Sequence, residues 1–215
     1  RYGLRLAPKE EGVFDALNIG NILHEVACLL LRGNELPIDN DVLLPKVDDI
    51  FDNIVAKDKY LSLQANGKNK VLLKNLRAEA KRFAQALNEQ AKVSKFKPKY
   101  FEMRFDDKSK IKALKIKVGD KIISLVGQVD RIDIFDQFFR VIDYKTGVCD
   151  TSFKELFFGK KIQLEAYIKT VKSSLKLKPA GAYYLPIKAG FADEKTTLQA
   201  KYSLKGRTLD DINII

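Results

Sequence analysis

The sequence predicts a mixed α/β domain in which a central sheet has helices before and after it. Three observations carry this reading. Apolar residues recur at helical spacing through 19–31, 46–58 and 70–92. From residue 100 to 145 the period becomes two, with turn residues between the runs. Helical patterning then returns over 152–158 and 160–176, before two last strand-like runs at 181–187 and 198–205.

The first helix, 19–31, takes Asn18 as its N-cap and buries Ile19, Ile22, Leu23, Val26, Ala27 and Leu30, and Arg32-Gly33 ends it. Gly20 and His24 lie one turn apart on it, and a glycine there implies a closely packed neighbour. Residues 34–45 read as a loop closing on Leu44-Pro45, and 46–58 as a shorter helix with Val47, Ile50, Phe51, Ile54 and Val55 inward. Asn66-Gly67-Lys68 precedes the long helix near 70–92. Its Lys74, Arg77, Lys81 and Arg82 form either a DNA-facing surface or, more simply, a solvated face. Strands follow at 100–105, 111–118, 121–134 and 138–145, mainly antiparallel. In the helix over 160–176, Ile162, Ala166 and Ile168 point inward, and Gln163 and Tyr167 share a face.

A chain of 215 residues suits one domain, 1–215, with a mainly helical lead-in over 1–95 and a core over 96–215. No apolar run approaches a membrane span and no signal peptide is visible. The two cysteines, Cys28 and Cys149, have no metal-ligand spacing, which points to a cytoplasmic, disulfide-free protein. The net charge of +11 is uneven: residues 1–60 hold 7 basic and 11 acidic side chains, residues 61–215 hold 32 and 17. A basic half suits a polyanionic partner. With Met103 the sole methionine and an end at Ile212-Asn-Ile-Ile215, the chain reads as a fragment of a longer polypeptide.

Two strands carry acids inside apolar runs: Gly127-Gln-Val-Asp-Arg-Ile-Asp133 and Val141-Ile-Asp-Tyr-Lys-Thr-Gly147. Asp136-Gln137 between them suits a tight hairpin, so Phe135 faces Phe138, Ile134 faces Phe139, and Asp133 faces Arg140 as an opposite-charge pair. Continued, this register sets Asp130 opposite Asp143 and Gln128 opposite Lys145. Asp130, Asp143 and Lys145 then share one face with Ile132 and Val141. Facing carboxylates repel unless a hard cation lies between them. The alternative is that both acids are strand-end residues neutralised by surface lysines, or that the strands pair in another register.

These motifs, with Gly20-x-x-x-His24 before them and Gln163-x-x-x-Tyr167 after, resemble in kind and order the RecB-like branch of the PD-(D/E)xK nucleases. The flanks Arg1-Tyr-Gly-Leu-Arg-Leu6, Pro179-Ala-Gly-Ala-Tyr-Tyr184 and Tyr202-Ser-Leu-Lys-Gly206 look like the C-terminal nuclease domain of AddAB-type (RexAB) helicase–nuclease B subunits. The resemblance implies a restriction-endonuclease-like mixed sheet. It also implies a Mg²⁺-dependent exonuclease-type deoxyribonuclease acting with a helicase A subunit, in double-strand-break processing and recombination. His24, Asp130, Asp143 and the Tyr144 main-chain carbonyl would ligate Mg²⁺, for which Mn²⁺ or Ca²⁺ could stand in structurally. Lys145 would activate water or stabilise the transition state. Gln163 and Tyr167 would support the site or touch DNA, and Glu102 would have a supporting role. Single-stranded DNA is the expected substrate, although no residue excludes RNA.

The family's B subunits also hold a [4Fe–4S] cluster on four cysteines that bracket this domain. Cys28 and Cys149 lie at neither place, so these residues are not expected to bind it. The rival reading is a catalytically silent nuclease fold that binds DNA or scaffolds a complex. His24, Asp130, Asp143 and Lys145 together argue against it, because binding alone needs no Asp-x-Lys pair.

Overall fold

Helix α1 (Ala16–Gly33) turns Ile22, Leu23, Val26, Ala27, Leu30 and Leu31 inward at the spacing of one helical face. It starts before the expected cap, so Asn18 lies within it. The computed structural model describes residues 16–64, 67–109, 111–149, 158–159, 162–188 and 197–208. The flank at 1–6 falls outside these residues, as does the helix expected over 152–158 except for Phe158, which stands in a turn.

Helix α2 (Asn40–Val55) begins well before the expected position and runs through Pro45. A proline inside a helix costs about 3 kcal/mol and removes one amide donor. Pro45 lies near the start, and Leu43, Val47, Phe51 and Ile54 are at most 1% exposed on the same stripe. Burying such side chains contributes about 1.5–3 kcal/mol each, enough to carry the helix across the proline. Helix α3 (Asp58–Gln64) is short, and α4 (Gly67–Val93) is the longest helix. Three cations of α4 are engaged within the fold. Arg77 bonds Asp48 and Asp52, Lys81 lies 2.7 Å from Asp48, and Arg82 lies 2.5 Å from Glu79. The solvated, internally paired face is therefore the better description of α4.

Strands β1 (Lys97–Phe105), β4 (Gly127–Phe135), β5 (Phe138–Lys145), β6 (Lys178–Pro186) and β7 (Lys205–Thr208) form one five-stranded sheet in the order β1-β4-β5-β6-β7. All neighbours are antiparallel except β5 and β6, which are parallel and joined through α5 (Gln163–Leu175). The β4–β5 hairpin has the expected register: Phe135 with Phe138, Ile134 with Phe139, Asp133 with Arg140. Asp136 adopts φ 50°, as a two-residue hairpin turn requires.

The strand expected over 121–134 is two strands. Its first part, β3 (Lys121–Leu125), pairs only with β2 (Leu114–Val118) as a separate ribbon, and Val126 marks the break. Ile122 and Ile123 are exposed on this ribbon, so apolar alternation there does not report burial. The run at 198–205 is likewise not one strand. Thr197 caps a short helix, α6 (Leu198–Lys201), through its side-chain oxygen, and β7 follows. Tyr202 is fully buried between them and donates to Glu79 over 2.5 Å. At Gly206 a Cβ would overlap the Ala182 carbonyl, so glycine is what lets β7 close on β6.

One core lies between α1, α2, α4 and one sheet face, including Ile142, Tyr144 and Leu185. A second lies between the other face and α5, including Val129, Ile132, Phe139 and Val141. In α5 the inward residues are Leu164, Tyr167, Thr170 and Val171, and Ile162 is exposed ahead of the helix. The helical stripe is thus rotated from the expected one.

Candidate active site

The site is built where the regular sheet fails. The β4–β5 ladder runs from Phe135–Phe138 to Arg131–Ile142 and stops one pair short of Asp130 and Asp143. Val129 and Ile132, three residues apart, both pack on the α5 side, so in–out alternation slips between them. Opposite, Phe101 joins the core on the α1 side while Met103 joins the α5 side, and Glu102 between them has φ 51°. A non-glycine residue in that region is strained, and such strain concentrates at functional sites.

This slip corrects the expected geometry. Asp130 does not share the α5 face with Asp143. It turns toward α1, where its Oδ2 lies 3.6 Å from His24 Nδ1 and accepts the Tyr144 main-chain N–H at 2.8 Å. His24, Glu102 and Asp130 bring one donor atom each within 4.8 Å of one another. Gln128, expected opposite Lys145, instead hydrogen-bonds Glu102 and accepts from Arg104 at 3.2 Å. These groups line a cavity of about 540 Å³ with Gly20 and Thr146. A Cβ on Gly20 would meet Thr146 at 3.8 Å, an ordinary contact, so the neighbour of that glycine is the end of β5 at no unusual closeness.

Asp143, with the buried side of β5, faces α5. Gln163 Nε2 donates to Asp143 Oδ1 at 2.8 Å and to the Tyr167 hydroxyl at 2.7 Å, and Gln163 Oε1 accepts from Lys145 at 3.0 Å. Lys145 Nζ also sits 2.5 Å from Asp143 Oδ2 and 5.1 Å from the centre of the Tyr184 ring. Asp143 Oδ2 is buried and accepts no well-directed hydrogen bond. The two groups therefore lie on either side of the sheet end, with Tyr144 between them. Its amide binds Asp130, and its ring meets His24 edge-on at 5.4 Å.

Electrostatics links them. Burial, reinforced by the Asp143 charge, raises the Asp130 pKa to about 8, with the Tyr144 amide acting against it. Burial also raises Asp143, opposed by Lys145, and raises Glu102, opposed by Gln128. Burial, with Lys145 adding to it, lowers His24 to about 4, so its imidazole is neutral at physiological pH.

Sequence reasoning missed the support beneath the site. Asp133 is fully buried and accepts from Arg131 Nε at 2.5 Å, Arg131 Nη2 at 2.7 Å and Arg140 Nε at 2.9 Å. The Asp133–Arg140 pairing was legible from the hairpin register, whereas nothing local marked Arg131 as buried. Glu102, expected only to assist, stands within the donor group.

The chain matches the PD-(D/E)XK nuclease superfamily over residues 1–212. It belongs to that superfamily. Its mixed sheet flanked by helices accords with the restriction-endonuclease-like fold. It is similar to the B subunit of the ATP-dependent helicase/deoxyribonuclease of Clostridioides difficile, 26% identical over 240 residues, covering 100% of this chain and 21% of the relative. The corresponding B subunit from Exiguobacterium sibiricum is 29% identical over 207 residues, covering 87% and 18%, and that from Listeria welshimeri is 28% identical over 239, covering 98% and 20%. The chain thus spans about a fifth of the length of these curated relatives.

PD-(D/E)XK nucleases generally use a divalent metal, and the residues here fit one. Glu102, Asp130 and Asp143 are three partly or fully buried carboxylates against one ammonium, Lys145, and one neutral imidazole. Three carboxyl groups whose pKa burial raises are oxygen donors that a hard cation would hold in their ionised form. A [4Fe–4S] cluster does not fit, since the chain has two cysteines and Cys28 is buried within α1. Among the described residues, no helix is long and apolar enough to cross a membrane.

Proposed function

We propose that this chain is the Mg²⁺-dependent, exonuclease-type deoxyribonuclease domain of a helicase–nuclease, acting with a helicase A subunit on single-stranded DNA in the cytoplasm. Its place would be double-strand-break processing and recombination. The observation that carries the reading is the His24–Glu102–Asp130 donor group beside Asp143 and Lys145. Binding or scaffolding needs no such arrangement.

In this reading His24, Asp130, Asp143 and the Tyr144 carbonyl hold the metal, with Glu102 beside them. A divalent cation there supplies Lewis acidity toward the scissile phosphate. The protein's own groups do the rest. Gln163 fixes Asp143 and Lys145 relative to one another, and Tyr167 fixes Gln163. Lys145, one-third exposed at its side chain, stands where it can orient the attacking water or offset charge growing on the phosphate oxygens. Neutral His24 remains a donor because its proton is already lost at working pH.

The test is cleavage of end-labelled single-stranded DNA and RNA by the full polypeptide, with Mg²⁺ and with EDTA. DNA cleavage that needs Mg²⁺ and disappears in Asp143→Ala supports the reading. Absence of cleavage with either substrate would leave the silent-scaffold alternative standing. Preference for RNA would overturn the substrate assignment.

A further inference from the structure

A second cavity of about 420 Å³ lies at the C-terminal end of α1, beside α4 and β1. It is lined by Arg32 at the end of α1, Ser94 after α4, Lys97 and Lys99 on β1, and Arg131 and Arg140 from the sheet. Arg131 and Arg140 share a single carboxylate, Asp133, and the three side chains are 6%, 14% and 0% exposed. One buried and one partly buried cation on a single buried anion leave a positive charge unbalanced, a costly arrangement without a counter-ion. Arg131 is also paired with the buried Tyr144 hydroxyl, whereas Arg140, stacked 4.9 Å from the centre of the Phe96 ring, has among the described residues one further hydrogen bond, to Ser94 Oγ at 3.2 Å. The rim adds exposed Arg32, Lys97 and Lys99 against one exposed acid, Glu35, among the described lining residues. Lysines on an edge strand also hinder strand addition, but that does not account for two arginines sharing one buried aspartate.

We propose that this cavity binds a phosphate of the substrate strand, away from the scissile one, through Arg140 with Arg32, Lys97 and Lys99. His24 lines the acidic pocket and Arg32 the basic one, eight residues or about 12 Å further along α1. An acidic, metal-suited end and a basic, phosphate-suited end would then hold one nucleic-acid backbone in line. This rests on the nuclease reading, yet it is tested by binding alone.

The experiment is hydrogen–deuterium exchange on the full polypeptide in EDTA, with inorganic phosphate and, separately, a single-stranded oligonucleotide. Both probes should slow exchange across residues 94–99 in the wild type, and neither should do so in Arg140→Gln. Asp133 keeps Arg131 in that variant, so the fold is expected to survive. The exposed pair Lys97→Gln with Lys99→Gln gives a second test that does not touch the core. In both variants oligonucleotide affinity should fall about tenfold, and the salt dependence of binding should lose about one phosphate's worth of slope. No protection by either probe, protection by free phosphate alone, or unchanged affinity in both variants overturns the proposal. Loss of protection in the variants of a wild type that cleaves nothing would sustain the pocket and sink the nuclease reading.

Discussion

The main-chain N–H of Tyr144 donates to Asp130 Oδ2 over 2.8 Å, so a carboxylate takes over where the β4–β5 ladder stops. That bond joins the α1 side of the site to the strand that carries Asp143 and Lys145. Any shift of β5 is therefore felt by both groups at once, and the break in the sheet becomes the means of assembling donors from opposite faces.

The raised pKa of Asp130 makes metal-free stability depend on pH. Between its unfolded value of 3.8 and its folded value of about 8, the native state binds more protons, so stability falls as pH rises. His24 acts oppositely: with its folded value lowered from 6.5 to about 4, it adds stability as pH rises across that interval. Above about pH 7.5 its contribution is constant, and between 6.5 and 8 it offsets only a small part of the Asp130 effect. Denaturant unfolding in EDTA at pH 6.5 and 8 should show a loss of up to about 2 kcal/mol in the wild type. Asp130→Asn should show much less, and an equal loss there would refute the assignment.

Gln163 bridges Asp143, Lys145 and Tyr167 with three hydrogen bonds. Gln163→Ala should lower cleavage about tenfold or more, in line with hydrogen bonds to charged groups of about 1.5–3 kcal/mol. Its unfolding midpoint should move little, because the residue sits at the first turn of α5. A normal rate in a titrated Mg²⁺ series would remove Gln163 from the site.

Asp133 is the converse case, a residue of the frame. Asp133→Ala leaves one buried and one partly buried guanidinium group without their carboxylate. Breaking such a pair costs about 3–5 kcal/mol, so the thermal midpoint should fall steeply. A shift within error would show that solvent compensates the arginines.

Much of this was legible in the sequence. The tight Asp136-Gln137 turn fixes the register by arithmetic, and Gly20-x-x-x-His24 placed the histidine on a helix that meets one of the two acids, Asp130. The face of Asp130 was not legible, because strict alternation predicts the α5 side. The slip is matched in the neighbouring strand by a positive φ at Glu102, a nonlocal feature that the local pattern does not carry. Pro45 hid the first turns of α2 for a similar reason, since burial of Leu43 and Val47 decides the matter. The β2–β3 ribbon has the pattern of a sheet strand but pairs outside the main sheet.

The most direct measurement pairs calorimetric titration of Ca²⁺ with Mg²⁺-dependent cleavage of single-stranded DNA in Lys145→Ala and Asp143→Ala. Lys145 contacts Asp143 but, as a cation, is no metal ligand. Lys145→Ala should keep metal binding and lose cleavage by about 10²–10³-fold, whereas Asp143→Ala should lose both. Cleavage near the wild-type rate in Lys145→Ala, or full metal binding and activity in Asp143→Ala, would contradict a site built on these two residues.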